Sequence, residues 1–267
     1  MFNFSQKGKI RYLESPLLKE FDFITHAFCT RYGGVSEGMF ANLNLSLREG
    51  DNEEMVSRNW EILASSFGLS VEQLFMAKQV HKDGICVLDD DPGPVLNAKR
   101  APDFDAIISN RPHLAIGILT ADCVPVLLVD ITKRVIGVVH AGWKGTSLNI
   151  AAKAVDTFVR RFSSSTTDII AVIGPAIGRC CYQVDDIVFE AMKEDGNRES
   201  FFGKCNEKGK WMFDLPLANR LQIRNAGVPS ENISLVNVCT SCRYDAFFSH
   251  RRDRGNTGRQ LSFIFLR

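Results

Sequence analysis

The sequence predicts a mixed α+β protein, and three observations carry that expectation. Short β-branched runs recur along the chain. Ile150, Ala154, Phe158 and Phe162 recur every four residues, which is the buried stripe of a helix. The stretch 115–140 reads as strand, strand, strand, so the strict βαβ alternation of a doubly wound Rossmann order is absent.

Taken in order, the first strand is 24–28. Asp51 or Asn52 then caps a helix that runs to about Phe67, with Gly68 just past its end. Ser70 and Gln73 have the spacing of a capping box, predicting a short helix whose far end carries His81. A strand at 85–88 follows. The segment 89–102, with Asp-Asp-Asp-Pro-Gly-Pro near its start, reads as an exposed loop because proline and glycine break both helix and strand. Strands are predicted at 106–108, 115–119, 124–129 and 135–140, a helix from about Thr146, and a strand at 169–173. Asp214-Leu215-Pro216 is an N-cap followed by an early proline, opening a helix that stops at Gly227. Strands at 235–238 and 262–265 complete the chain. Several strands are apolar on both faces, which predicts a sheet covered on both sides.

The chain has 267 residues, predicting one domain or two intimately packed halves. Lysine and arginine total 32 against 31 acidic residues, a net charge of +1, which gives no general reason for a nucleic-acid or membrane-surface partner. The cluster Arg251, Arg252, Arg254 and Arg259 is the local exception. No run approaches the ~18 apolar residues of a membrane-spanning helix, and the N-terminal residues lack the apolar core of a secretion signal. The eight cysteines are therefore expected reduced, in the cytoplasm, with metal or catalytic roles open to them.

Only five histidines exist, so each placement is informative. His140 ends an apolar strand and opens into Ala-Gly-Trp-Lys-Gly, a good place to present a side chain to a ligand. Cys123 lies between two apolar strands, and His81 follows Lys-Gln-Val. These nitrogen and sulfur donors suit zinc, with a fourth position left for water or substrate. Two other readings use the same residues: a buried thiol beside two core histidines, or a Cys123 nucleophile with His140 as its base. Cys239-Thr-Ser-Cys242 is a lone CxxC, open to packing, a redox pair or structural zinc, and Cys180-Cys181 does not have the spacing of its usual second half. The arginines and glycines after His250 suit an oxyanion or form a solvated basic turn before the last strand. The segment from Arg31 to Gly38 is glycine-rich but matches no nucleotide-binding fingerprint. Asn42 and Asn44 alternate with leucines, so both face one side of an extended segment, toward a base or sugar or toward water.

Six segments occur in one order: Thr30-Arg-Tyr-Gly-Gly-Val-Ser36, Lys78-Gln-Val-His81, Thr120-Ala-Asp-Cys123, His140-Ala-Gly-Trp143, Ile173-Gly-Pro-Ala-Ile-Gly178 and Phe248-Ser-His-Arg-Arg252. Over nearly the whole chain they resemble the YfiH-like laccase-domain family, also called the polyphenol oxidase or purine nucleoside phosphorylase family. The resemblance implies a layered α/β/β/α arrangement of mixed sheets with helices outside. It implies a zinc ion on His81, Cys123 and His140, with copper as the alternative ion. The implied activity is phosphorolysis of adenosine, inosine, guanosine or methylthioadenosine to base and ribose-1-phosphate, with adenosine deamination in the same pocket. For this scheme Cys123, His81, His140 and Asp122 are the catalytic candidates, and Arg31, Asn44, Lys144 and Arg251 the substrate and phosphate candidates. Asp122 is either a proton shuttle or a structural carboxylate. Small-molecule purine nucleosides and phosphate are the expected partners, without nucleic acid or membrane, and the oligomeric state stays open. The competing functions are a phenol oxidase, an amidase editing peptidoglycan precursors, and a scaffold with structural zinc. Five histidines cannot supply a full laccase set of copper sites.

Overall fold

The structure, a computed structural model, describes residues 4–89, 103–205 and 207–267. Two six-stranded sheets lie face to face between outer helices. The first runs in the order Phe4–Lys7, Ile10–Leu13, Ile24–Cys29, Gln260–Leu266, Ala115–Thr120 and Leu74–Met76. Its strands pair antiparallel except for Leu74–Met76, which is parallel to its neighbour. The second runs Ile233–Leu235, Ile169–Ile173, Val124–Asp130, Val135–Ala141, Ala106–Ser109 and Ile85–Leu88, with parallel pairs at both edges. A small third sheet joins Gln183–Asp185, Lys210–Phe213 and Phe202–Lys204.

Side chains alternate across a strand, and that alternation builds the layers. Leu127 and Val129 point inward with Ile136 and Val138, meeting Phe28, Ile116, Ile118 and Ile264 of the first sheet. Val126, Leu128 and Val139 point outward, under Ile150, Ala154, Val155 and Phe158 of the helix Ile150–Phe162. On the far side, Ala27, Phe263 and Phe265 pack beneath Leu63 and Phe67 at the end of the helix Glu53–Ser66. Strands covered on both faces must be apolar on both, as the sequence shows. The layered α/β/β/α arrangement stands.

Caps fall where the side-chain chemistry put them. Asn52 accepts from the backbone N–H groups of Glu54 and Met55, and Asp214 from that of Leu217 at the head of Leu215–Asn225. The expected helix from Thr146 is two pieces, Trp143–Ser147 and Ile150–Phe162, because Asn149 takes a left-handed φ of 59° between them. The Ser70 capping box does form, but its helix is one 3-10 turn, Val71–Gln73, followed directly by the strand Leu74–Met76. His81 therefore sits in a bend beyond that strand, not on a helix end. The strand expected at 235–238 lies earlier, at Ile233–Leu235. Of the loop expected at 89–102, residues 90–102 lie outside the described residues. Among the described residues no helix is long and apolar enough to cross a membrane.

Candidate metal centre and ligand cavity

The chain crosses from the first sheet to the second between Thr120 and Val124, and Cys123 sits on that crossing. His140 lies opposite Pro125 in the adjoining strand, which carries its ring to the same end of the sheet. His81 arrives from the loop after Leu74–Met76 with a left-handed φ of 58°, and Asp122 has a φ of 90°. Two non-glycine residues held in that sparsely populated region are strain the surrounding contacts must offset. Gln79 supplies one anchor: its amide accepts from Leu119 N at 2.8 Å and donates to Leu119 O at 2.7 Å.

Asp105 supplies the other anchor. Its carboxylate accepts from the backbone N–H groups of His81 at 3.0 Å and Lys82 at 2.7 Å, with Val80 at 3.3 Å. The same carboxylate lies 2.7 Å from Nδ1 of His140, and both residues are buried. One aspartate thus fixes the backbone of the first histidine and the ring of the second. With Nδ1 committed to a carboxylate, Nε2 of His140 is left to face the cleft, the arrangement that orients metal-binding imidazoles. The sequence reading missed Asp105. Its signal was an aspartate placed directly before the apolar run of the strand Ala106–Ser109.

The ligand atoms of His81, Cys123 and His140 all lie within 4.8 Å of one another. Cys123 Sγ is 3.8 Å from His81 Nε2. A tetrahedral zinc with ordinary bond lengths separates a sulfur and a nitrogen ligand by about 3.6 Å, close to the Cys123–His81 separation, so the donor set suits such an ion. Gly142 keeps the space open: a Cβ there would stand 3.0 Å from Cys123 Sγ and 3.1 Å from the His81 ring. Burial alone would raise the Cys123 thiol, but the charges and hydrogen bonds of His140 and His81 outweigh it and bring it down to about 6. Burial likewise works against the His140 imidazolium, yet the Cys123 thiolate and Asp105 raise it to about 9. The apoprotein thus holds a thiolate beside an imidazolium, ready to exchange its proton for a metal.

These three residues open onto a cavity of about 1210 Å³, which Asp122, Tyr182, His250 and Arg251 also line. Arg251 is held by Nη1 donating to Gln183 O at 2.6 Å, with its guanidinium 5.0 Å from the Tyr182 ring centre. Burial first, and then the nearby Cys123 charge, raise the Tyr182 phenol, so it keeps its proton. The cavity also takes Arg259, from the arginine cluster after His250, and Arg48, which the sequence reading did not single out.

Three of the sequence candidates do not line the cavity. Arg31 does not reach the cavity: Nε donates to Ala41 O at 2.6 Å and the guanidinium lies over the Phe248 ring. Asn44 is fully buried and spends its amide on Ser46, Asp51 and the backbone N–H of Arg259, an arginine on the cavity wall. Lys144 is exposed, its ammonium over the Trp143 ring and off the cavity wall. Asp122 lines the cavity, but its Oδ1 accepts from the Thr240 hydroxyl and its Oδ2 from the backbone N–H of Arg251, both at 2.6 Å. That wiring is structural and pins the Arg251 turn.

A family model for multi-copper polyphenol oxidoreductase laccase matches residues 25–267. A Geobacillus stearothermophilus protein named purine nucleoside phosphorylase YlmD is 38% identical over 239 residues, covering 88% of this chain and 87% of that one. A protein from an unknown prokaryotic organism, named adenosine deaminase RL5, is 34% identical over 245 residues, covering 90% of this chain and 93% of that one. The crystal structure of the Bacillus licheniformis hypothetical protein YfiH superposes with a TM-score of 0.91 at 37% identity, covering 99% of both chains.

Proposed function

We propose that this chain, which belongs to the multi-copper polyphenol oxidoreductase laccase family, is a zinc-dependent purine nucleoside phosphorylase that also deaminates adenosine. One observation carries the proposal: the His81, Cys123 and His140 donor set and three arginines, Arg48, Arg251 and Arg259, face one cavity. A nucleoside and a phosphate must meet in a single site, and this cavity offers donors for both. Names of relatives that include both activities support the pairing.

His81, Cys123 and His140 would hold the ion, which supplies Lewis acidity to the bound substrate. The chain's own part is binding and orientation. Phosphorolysis brings a phosphate oxygen to the anomeric carbon as the purine leaves with the bonding electrons. A phosphate dianion needs guanidinium partners, and Arg251 is preset by Gln183 and Tyr182 to serve as one. Arg259 is already paired with Glu49 at 2.7 Å, which leaves Arg251 the stronger phosphate candidate. The protonated Tyr182 phenol offers a donor to a substrate oxygen or nitrogen. Asp122 acts as a positioning residue, since both its oxygens hold protein groups. The free state of all eight cysteines supports a reducing compartment such as the cytoplasm.

The donor set speaks against a multi-copper phenol oxidase. Of five histidines, His26 accepts from Ser15 N inside the core, and two are already in the His/Cys/His group. A trinuclear copper cluster needs a histidine-rich set that this chain does not possess.

The deciding experiment follows adenosine with zinc-loaded protein, with and without phosphate. Adenine and ribose-1-phosphate that appear only with phosphate are the expected products, with inosine from deamination independent of phosphate. Arg251→Ala should raise the KM for phosphate by about 10–100-fold, the loss of a charge-assisted hydrogen bond. Inosine alone, at any phosphate concentration, would reduce the protein to a deaminase.

A further inference from the structure

Outside the cavity, the fold brings together two cysteine pairs that lie about sixty residues apart in sequence. Cys180 and Cys181 close a turn in which Cys181 N donates to Gly178 O at 3.0 Å. Cys239 and Cys242 close another, in which Arg243 N donates to Cys239 O at 3.0 Å. An isolated parallel bridge between Ala176 and Cys239 lays the two turns side by side. All four sulfur atoms lie within 4.8 Å of one another. Cys242 Sγ is 3.4 Å from Cys181 Sγ and 3.5 Å from Cys180 Sγ, and all four cysteines are free.

We propose that Cys180, Cys181, Cys239 and Cys242 form a second, structural metal site that binds zinc through four thiolates. A tetrahedron built on zinc–sulfur bonds of about 2.3 Å has edges of about 3.8 Å, and the four sulfurs are already gathered at that scale. Four protein ligands close the coordination sphere, which distinguishes a structural ion from one that keeps a position for substrate. The backbone fits as well. Gly178 N donates to Cys239 Sγ at 3.2 Å, the kind of N–H to sulfur bond that stabilises a bound thiolate. A Cβ at Gly178 would stand 3.2 Å from Cys239 Cβ and 3.4 Å from Cys180 Sγ, so only glycine gives that N–H free approach. Binding releases the thiol protons to solvent and leaves no redox change to balance.

The location gives the ion a task. Tyr182 follows Cys181 directly, and Thr240, between the other pair, holds Asp122, which in turn holds Arg251 N. The same strip carries Arg252 Nη1 donating to Thr240 O at 3.0 Å. An ion across the two turns would tie together the segments that bring Tyr182 and Arg251 to the cavity wall.

The test removes the first site before reading the second. Cys123→Ala protein, purified with zinc and a reductant, is analysed for metal by elemental analysis and native mass spectrometry. One zinc per chain is expected, falling to none when Cys242→Ser or, separately, Cys180→Ser is added. In the Cys123→Ala protein the four thiols should resist a thiol reagent until a strong chelator is present, then react together. Cys123→Ala protein that carries no zinc while folded by circular dichroism would overturn the proposal. So would a mass two hydrogens light, with no metal, since that marks a disulfide between these cysteines. Because catalytic activity is not read, failure here leaves the phosphorylase reading untouched.

Discussion

His26 and His140 are both buried in strands, one in each six-stranded sheet, and burial drives their charge in the same direction. They end far apart. His26 lies at the centre of Ile24–Cys29, and its Nε2 accepts from Ser15 N at 2.8 Å. A ring nitrogen that accepts a backbone N–H must be unprotonated, so burial, aided by Lys19, outweighs the charge of Glu14 and the histidine falls to about 4. His140 stands at a strand end, gives Nδ1 to Asp105 and faces the Cys123 thiol, and it rises to about 9. Depth alone predicts neither value. What matters is whether the partner is a donor or an acceptor, and a histidine whose partners are anions is the one that can trade its proton for a metal ion.

The largest effect that would sharpen this contrast comes from Cys123→Ala. Removing the thiolate takes away one of three ligands, and we expect metal at this site and phosphorolysis both to fall below detection while the far-ultraviolet circular dichroism is unchanged. Retained activity in metal-free variant protein would break the link between the donor set and the reaction. Next in size is Asp105→Asn. An amide cannot accept from the His81, Lys82 and His140 groups together without turning its NH2 toward one of them. The expected loss is about 10–100-fold in metal affinity, the usual weight of a partner behind a metal-binding imidazole. An unchanged zinc affinity would show that His140 needs no anion behind it.

A smaller effect appears in the apoprotein. The thiolate–imidazolium pair exists above about pH 6, where Cys123 ionises, and below about pH 9, where His140 gives up its proton. Alkylation of Cys123 by iodoacetamide should therefore rise through a midpoint near 6, and His140→Ala should move that midpoint upward toward that of an ordinary thiol. A midpoint that stays near 6 in the variant would assign the effect to His81 alone.

Much of the frame is legible before any coordinates. The apolar stripe from Ile150 to Phe158, the Asn52 and Asp214 caps and the run of strands through Val135–Ala141 rest on local chemistry, and local chemistry is written in sequence order. What fails is what depends on distant pairing. The edge strand Phe4–Lys7 and its neighbour Ile10–Leu13 are short and carry polar residues, and only their pairing marks them as strands. At the site, His81 and His140 were picked out by the scarcity of histidine and Cys123 by its place between two apolar strands. Asp105 was not, because its carboxylate acts on backbone N–H groups that carry no side-chain signature. Arg31 and Asn44 lie off the cavity wall, which the sequence could not signal because a polar side chain near a glycine-rich turn reads the same whether it faces a cavity or Ala41 O. The spacing argument also set Cys180 and Cys181 apart from Cys239 and Cys242, which only the Ala176–Cys239 bridge brings together.

The smallest effect is the one His26 exerts on stability, and it tests the other half of the contrast. Its pKa is lower in the folded chain, about 4, than the 6.5 of a free histidine. In the pH range between those values the unfolded chain binds a proton that the folded chain refuses. The stability His26 contributes is therefore fully present above about 6.5 and is lost as pH falls toward 4, by about 3 kcal/mol at most from a shift of that size. His26→Gln keeps an acceptor for Ser15 N and removes the titration. Urea unfolding at pH 7 and at pH 4.5 should show the wild type losing more stability than the variant over that interval, while zinc affinity and phosphorolysis at pH 7 stay unchanged. Equal losses in the two proteins would mean that the core around His26 yields to its charge, and that burial without a paired acceptor is a weaker constraint on a histidine than the contrast with His140 implies.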